Sequence, residues 1–289
     1  MTRDKGQMTM DFPRYLAAKK TVDDRALNKE VWLALRDHLP PEPAIVEVGA
    51  GIGTMVERLV EQGFIERGRY TAVDNHPPNI DTARQRLAHL PPTLHLELVA
   101  DDLFAFAGQV HGRDRWDVLI AHAVLDLLDI PTALPVLFSL LKPGGLFYFS
   151  LNFDGATILE PAIDPPFDAL VEQLYHRTMD ERLVGGRPSG DSRSGRHLFT
   201  HLKNQGADIV AAGSSDWVVW ARHGRYPADE AYFLHFIIRT MSQALHGHPE
   251  LPADLFAQWV TQRHAQIESG DLVYIAHQID FLGITRTGV

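Results

Sequence analysis

The sequence predicts an α/β fold, an open, doubly wound sheet of mostly parallel strands with helices on both faces. Two observations predict it. A short β-branched run, Ala44-Ile45-Val46-Glu47-Val48, turns through Gly49, Gly51 and Gly53 into a stretch whose Met55, Leu59 and Val60 fall near helical spacing. Further alternations of strand and helix follow, so that four strand–helix units precede a fifth apolar run within residues 44–152. A sheet of this kind binds ligands beyond the carboxyl ends of its strands, so the residues at those ends are the first candidates for chemistry.

The chain supports such a core. Of its 289 residues 45% are hydrophobic and 22% charged, which suits one domain or two; a single domain over 1–289 is expected. Formal net charge is −10 and no block of Lys or Arg interrupts the sequence, which disfavours binding to nucleic acid through phosphate neutralisation. There are no cysteines, so disulfides, thiolate metal sites and a cysteine nucleophile are excluded. The start, MTRDKGQMTMDFPRYL, has no apolar signal-type region, and no run of about 18 apolar residues exists. The expectation is a cytoplasmic protein without a membrane partner.

In chain order, residues 1 to about 10 are polar and expected to be loose. Residues 11–40 are expected to form helices capping the sheet: Ala26, Leu27, Val31, Leu33, Ala34 and Leu35 trace an amphipathic helix, with Asp23 or Asp24 at its start and Pro40-Pro41 at its end. Residues 44–152 form the ligand-binding core. The second strand, Arg69–Asp74, ends in an acid 21 residues after Gly53. An ionised carboxylate has two oxygens and no donor, so Asp74 can accept both hydroxyls of a ribose. Asn79 or Asn75, beside Pro77-Pro78, is the better cap for the helix that follows, which leaves Asp74 for a ligand. The third strand, Leu94–Ala100, runs into Asp101-Asp102-Leu103, and strand alternation lets only one of the two acids face the cleft. The fourth strand, Trp116–Ala121, leads to His122. A helix then ends at Lys142-Pro143-Gly144-Gly145, before the strand LFYFSL.

These motifs resemble those of a known family. In Glu47-x-Gly49-x-Gly51-x-Gly53, Thr54 stands where the dinucleotide fingerprint needs its third glycine. The pattern resembles instead the first motif of class I S-adenosylmethionine-dependent methyltransferases. Leu141-Lys142-Pro143-Gly144-Gly145 resembles their turn into the fifth strand. The resemblance covers about residues 40–155 and more loosely 190–220, where S-R-S-G-R-H-L resembles the small-molecule members. It implies a Rossmann-like seven-stranded sheet closed by an antiparallel hairpin, here interrupted over residues 226–270 by a helical pair acting as a lid or an oligomer contact. It also implies S-adenosyl-L-methionine as cofactor. Glu47, Gly49, Ala50, Gly51 and Gly53 would cradle it, with Ala121 at the fourth strand end. Asp74 and Asn75 would meet its ribose. Asp101 or Asp102 would meet the adenine amine, and the N–H of Leu103 a ring nitrogen. Tyr15 and Arg25, on a helix over the cofactor, are candidates for its methionine end.

Methyl transfer from a sulfonium is an in-line displacement that needs alignment and exclusion of water rather than a nucleophilic side chain. A base is needed only if the acceptor must lose a proton. His122 is the leading base candidate, since its ordinary pKa suits the role; Tyr148, Tyr175 and His277 are lesser ones. Arg193, Arg196 and His277 are candidates to face a small-molecule substrate. The pairs His197/His201 and His246/His248 lack a third ligand, so no metal is expected. Asp164-Pro165-Pro166-Phe167 spells a signature of amino-group methyltransferases but follows the fifth strand rather than the fourth, and reads as a turn before a helix. The sequence therefore predicts a methyltransferase acting on an unidentified small molecule. The alternatives are a nicotinamide-dependent oxidoreductase and a non-catalytic S-adenosylmethionine-binding protein.

Overall fold

The computed structural model describes residues 11–112 and 115–286; the polar start lies outside them. Two helices, α1 (Phe12–Ala26) and α2 (Lys29–His38), precede the sheet. Then follow β1 (Ala44–Val48), α3 (Thr54–Glu61), β2 (Gly68–Asp74), α4 (Pro77–Arg86), β3 (Leu94–Ala100), α5 (Leu103–Val110) and β4 (Trp116–His122). A short 3₁₀ turn (Leu125–Leu127) and α6 (Ile130–Ser139) lead to β5 (Leu141–Glu160) and α7 (Pro165–Asp180). A small hairpin of β6 (Leu183–Val184) and β7 (Arg187–Pro188) precedes α8 (Ser194–Asn204), β8 (Ala207–Ser214) and β9 (Trp217–Val219). The chain ends with α9 (Glu230–Ala244), α10 (Ala253–Ser269) and β10 (Val273–Thr285).

The strand order is β3-β2-β1-β4-β5-β10-β8, with β9 also paired to β10. The first five strands are parallel, and β10 runs antiparallel to β5, β8 and β9. The order reverses between β1 and β4, the switch point where such sheets open a crevice. Both faces are buried: Val118 and Ile120 belong to one core, Leu119 and Ala121 to the other, as the alternation of a parallel strand requires.

The sheet has eight strands rather than the expected seven, because the stretch read as one strand over Ala207–Ala221 breaks at Ser215-Asp216. There the backbone turns aside: Ser215 N–H donates to Gln278 O at 2.9 Å, and the Asp216 carboxylate meets His277 Nδ1 at 2.7 Å. Gly213, just before the break, passes so close to Asn28 that a Cβ would lie 2.3 Å from its Nδ2.

The N-terminal helices also begin elsewhere than the sequence suggests. Asp11 caps α1, its side chain accepting from Arg14 N–H, and Asn28 caps α2, accepting from Glu30 and Val31 N–H. Asp23 and Asp24 therefore lie inside α1. Asp164 caps α7 through Phe167 N–H, so D-P-P-F is a turn before a helix. Among the described residues no helix is long and apolar enough to cross a membrane.

One buried acid ties three elements together. Asp280 on β10 is fully buried and accepts from Leu151 N–H of β5 at 2.7 Å and from Asn28 N–H at 2.9 Å. Asp280→Ala strands both donors, at about 1–3 kcal/mol each. Urea unfolding is expected to show a loss of roughly 2–5 kcal/mol; an unchanged midpoint would contradict this role.

Candidate active site

At the carboxyl end of β1 the chain folds into a tight loop. Gly49 has φ 68° and Gly53 φ 80°; a Cβ would come within 2.7 Å of Val124 at the first and 2.6 Å of Leu87 at the second. The loop thus needs glycine for its turn and for its packing. It delivers the N-terminus of α3 to the edge of a cavity of about 620 Å³. Residues 49–52 line that cavity together with Glu47. Glu47 is buried, and burial pushes its carboxyl up to about 8 although the Tyr70 hydroxyl donates to it at 2.8 Å. It therefore sits beside the loop as a neutral acid at pH 7.

Asp74 closes the next side. Its Oδ2 accepts from Gly51 N–H at 2.8 Å, and its Oδ1 from His76 N–H at 2.9 Å and Asn79 Nδ2 at 3.0 Å. Capping does not fall to Asn79 or Asn75, as the sequence suggested: α4 starts at Pro77, Asn79 lies in its first turn, and Asp74 itself receives both donors. A carboxylate has about four lone-pair directions, so this one braces the glycine loop and keeps acceptor capacity for a ligand. Asp74 and Asn75 both line the cavity.

Asp101, Asp102 and Leu103 line it too. Both acids do so because β3 ends at Ala100, before strand alternation can separate them. Asp102 caps α5, its Oδ1 accepting from Phe104 and Ala105 N–H. Asp101 accepts from Asp102 N–H and Gln109 Nε2, both at 2.8 Å.

The remaining wall comes from α1, and here sequence reasoning chose the wrong face. Tyr15 stacks on Phe236 of α9, ring centroids 3.9 Å apart, and Arg25 forks onto Glu230 at 2.6 and 2.8 Å. Neither lines the cavity; Phe12, Leu16 and Lys19 do. With Asp23 these recur at i, i+4, i+7 and i+11, one helical face. That signal was readable once Asp11-Phe12-Pro13 is taken as the helix start.

Behind this face lies a buried ion cluster. Asp23 is 1% exposed and receives Lys19 Nζ at 3.1 Å, His122 Nε2 at 3.2 Å and Trp217 Nε1 at 2.9 Å, with Arg58 at 3.6 Å. Arg58, also buried, pairs with Asp24 as well. Burial raises the Asp23 carboxyl, but Lys19, His122 and Arg58 outweigh it and hold the group well below the usual carboxylate range.

His122, at the end of β4, lines the cavity, but both its nitrogens are engaged, Nε2 by Asp23 and Nδ1 by Ser150 Oγ at 2.8 Å. Burial pushes its pKa down to about 4, against the raising effect of the Asp23 hydrogen bond. The ring is neutral at pH 7, weakly basic and committed on both sides, so its geometry favours a structural link over the general base expected from sequence.

Ala121 is buried one residue earlier in β4, behind the lining, and Gly53 serves the turn. The expected substrate residues lie away from the cavity lining. Arg196 is bound to Asp154 through Nε and its backbone N–H, both at 2.8 Å; Arg193 stands at the start of α8 beside Gly155; His277 is held by Asp216. Tyr148 and Tyr175 lie among core side chains. The Gly- and Ser-rich stretch Val184–Gly195, which the sequence places near the mouth of the site, contributes Val184, Arg187, Pro188 and Ser189 to the cavity lining, the first three from the β6–β7 hairpin.

Two outcomes are expected. Asp23→Ala leaves Lys19 and Arg58 facing each other in a dry site, and chemical denaturation should show a loss of about 3–5 kcal/mol. His122 is neutral in the fold and gains its proton more readily unfolded, so it contributes stability that is lost as pH falls from about 6.5 towards 4. Its ring resonances should not titrate between pH 8 and 5.5; a midpoint near 6.5 would contradict the geometry.

Comparison with known proteins fits this arrangement. A family described as a methyltransferase domain matches residues 46–147, from β1 into β5. No curated protein matches the chain. Among solved structures, YjhP from E. coli is similar over 94% of this chain and 99% of its own, with 15% identity and a TM-score of 0.50, a likeness of fold. S-adenosylmethionine-dependent methyltransferases from Thiobacillus denitrificans and Geobacter sulfurreducens, each described in complex with S-adenosyl-L-homocysteine, are similar over 96% of this chain and 100% of theirs. Their identities are 15% and 16%, and both TM-scores are 0.49. The matched segment spans the glycine loop, Asp74 and strands β1 to β4, so residues 46–147 are similar to a methyltransferase domain.

Proposed function

We propose that the cavity holds S-adenosyl-L-methionine and that the protein transfers its methyl group to a small-molecule acceptor. One observation carries the reading: the glycine loop, Asp74-Asn75 and Asp101–Leu103, from three separate strand ends, converge on one cavity at the switch point of the sheet.

The donor set suits this cofactor in kind. The backbone at Gly51 faces the cavity with only Leu16 Cδ1 near where a Cβ would stand, at 3.0 Å, which leaves its surface open to a ligand. Asp74 and Asn75 suit ribose hydroxyls. Leu103 N–H and the adjacent acids suit the edge of a purine. Lys19, held by Asp23 at 3.1 Å and lining the cavity, suits a carboxylate and takes the role the sequence offered to Tyr15 and Arg25.

When bound, the cofactor supplies an activated methyl on a sulfonium sulfur. The chain's own work is orientation and dryness. Asp74 fixes the loop through Gly51 N–H, and residues of α1 and of the β6–β7 hairpin line the cavity. No nucleophilic side chain is required of the protein. With His122 neutral and engaged, the reading favours an acceptor that arrives with a free lone pair over one that must first surrender a proton to this ring. The stretch 226–270, which holds α9 and α10, is read as a brace behind α1 rather than the lid or oligomer contact expected from sequence, with 11–40 and 44–152 as cap and cofactor-binding core.

The test is calorimetric titration with S-adenosyl-L-homocysteine. Wild type is expected to bind at one site. Asp74→Ala should bind about 10–100-fold more weakly, roughly 1.4–3 kcal/mol, and Lys19→Met should weaken binding by about tenfold. Absence of binding to wild type sinks the reading. NADH fluorescence enhanced on mixing would favour the oxidoreductase instead.

A further inference from the structure

Outside the cavity, one side-chain pair stands apart. His235 of α9 and His264 of α10 face each other with their Nδ1 atoms 2.8 Å apart and ring centroids at 5.0 Å, both half-buried. Two nitrogens at that separation share one proton: one ring donates Nδ1–H and the other accepts. A first added proton can sit on the donor ring's Nε2 and leave this bond intact. A second must go onto the accepting Nδ1, where it sets N–H against N–H and two positive rings side by side.

The surroundings make that second proton costly. Arg239, one turn along α9, adds a positive charge that acts on both rings, and Glu268, one turn along α10, opposes it at His235. The other ion pairs on these helices are made away from the two rings. Arg14–Asp229 and Arg25–Glu230 lie at the start of α9, Arg177–Glu250 in the connection to α10, and Arg263–Asp168 between α10 and α7. Burial, the neighbouring ring and Arg239 push His264 down to about 4, while burial and Arg239 lower His235.

The pair stands in mechanical series with the cavity. Phe236 and Phe233 of α9 stack on Tyr15 of α1, at 3.9 and 5.8 Å, and Glu230 binds Arg25 and Thr21 of the same helix. Phe12, Leu16 and Lys19, on the adjoining face of α1, are cavity wall, and the Phe12 ring lies 6.1 Å from that of Phe236. We propose that the His235–His264 contact is an acid-sensitive latch that closes the α9–α10 seam, and that opening it loosens α9 and, through it, the α1 wall of the cavity. The latch needs no ligand. The seam is closed when the neutral pair has gained at most one added proton and opens with the second, so its contribution is present above about pH 6.5 and is lost as pH falls towards 4.

Hydrogen exchange of the full-length protein at pH 7 and pH 4.5, corrected for intrinsic rates, tests it. The expected result is a rise in amide opening along both sides of the seam, 233–241 and 257–268, about tenfold beyond whatever rise β1 and β4 show as His122 loses its contribution. In His264→Gln, which cannot take the second proton, the selective rise should be absent. No selective rise in wild type, an equal rise in His264→Gln, or a uniform rise across the sheet overturns the proposal; the uniform rise would point to His122 instead. His264 ring resonances titrating near 6.5 would overturn it independently. Titration of S-adenosyl-L-homocysteine at both pH values adds the link to the cavity: about tenfold weaker binding at pH 4.5 in wild type, but not in His264→Gln, is expected, and equal weakening in both would remove that link. If the ligand binds at neither pH, the cofactor reading fails while the exchange result still judges the latch.

Discussion

Asp23 sits where a lysine, an arginine, a histidine and an indole meet in a site closed to water. Lys19 and Asp23 belong to α1, Arg58 to α3, His122 to β4 and Trp217 to β9, so one carboxylate draws the N-terminal helix onto the sheet from three directions. Loss of the carboxylate is the costly change, because Lys19 would then be buried without its counterion and Arg58 would keep only Asp24. Its geometric effect matters more than its net energy. It fixes α1 in rotation about its own axis, and that rotation decides that Phe12, Leu16 and Lys19 face the cavity while Tyr15 faces α9.

The glycine loop, Asp74 and the Asp101–Leu103 corner were legible because each is local. A strand, a turn and a helix start are written in consecutive residues, and their ligand-facing ends follow from the handedness of the parallel unit. The rotation of α1 was not legible in the same way. Its amphipathic pattern supports two faces, one greasy toward α9 and one mixed toward the cavity, and only tertiary partners tell them apart. Asp23 read as a helix cap because an exposed Asp before an apolar run usually is one; burial among cations gives it a different role. Likewise the two acids after β3 looked mutually exclusive only while the strand was taken to continue through them.

The C-terminal half departs from the minimal sheet for a related reason. β5 runs to Glu160 and β10 from Val273 to Thr285, so the two strands extend together past the cavity, and the surplus apolar face is covered by α7, α9 and α10. The long pairing demands irregularity: its register shifts twice, between Ala276 and Gln278 and between Ile279 and Phe281. The break between β8 and β9 falls opposite that irregular region, where His277 and Asp216 hold each other. Arg193, Arg196 and His277 belong to this structural joint, which explains how residues of functional appearance come to lie outside the cavity. His122 illustrates the converse: a side chain placed on the cavity wall whose hydrogen bonds serve the scaffold.

The central claim is that one cavity, bounded by the glycine loop, Asp74, the Asp101–Leu103 corner and the Lys19 face of α1, receives the cofactor. Amide exchange at pH 7 with and without S-adenosyl-L-homocysteine addresses it most directly. The account predicts protection at residues 49–53, 75–76 and 101–105 and along α1, with little change around residues 191–197 and 275–278. Protection centred on the latter, or none at the glycine loop, would contradict it.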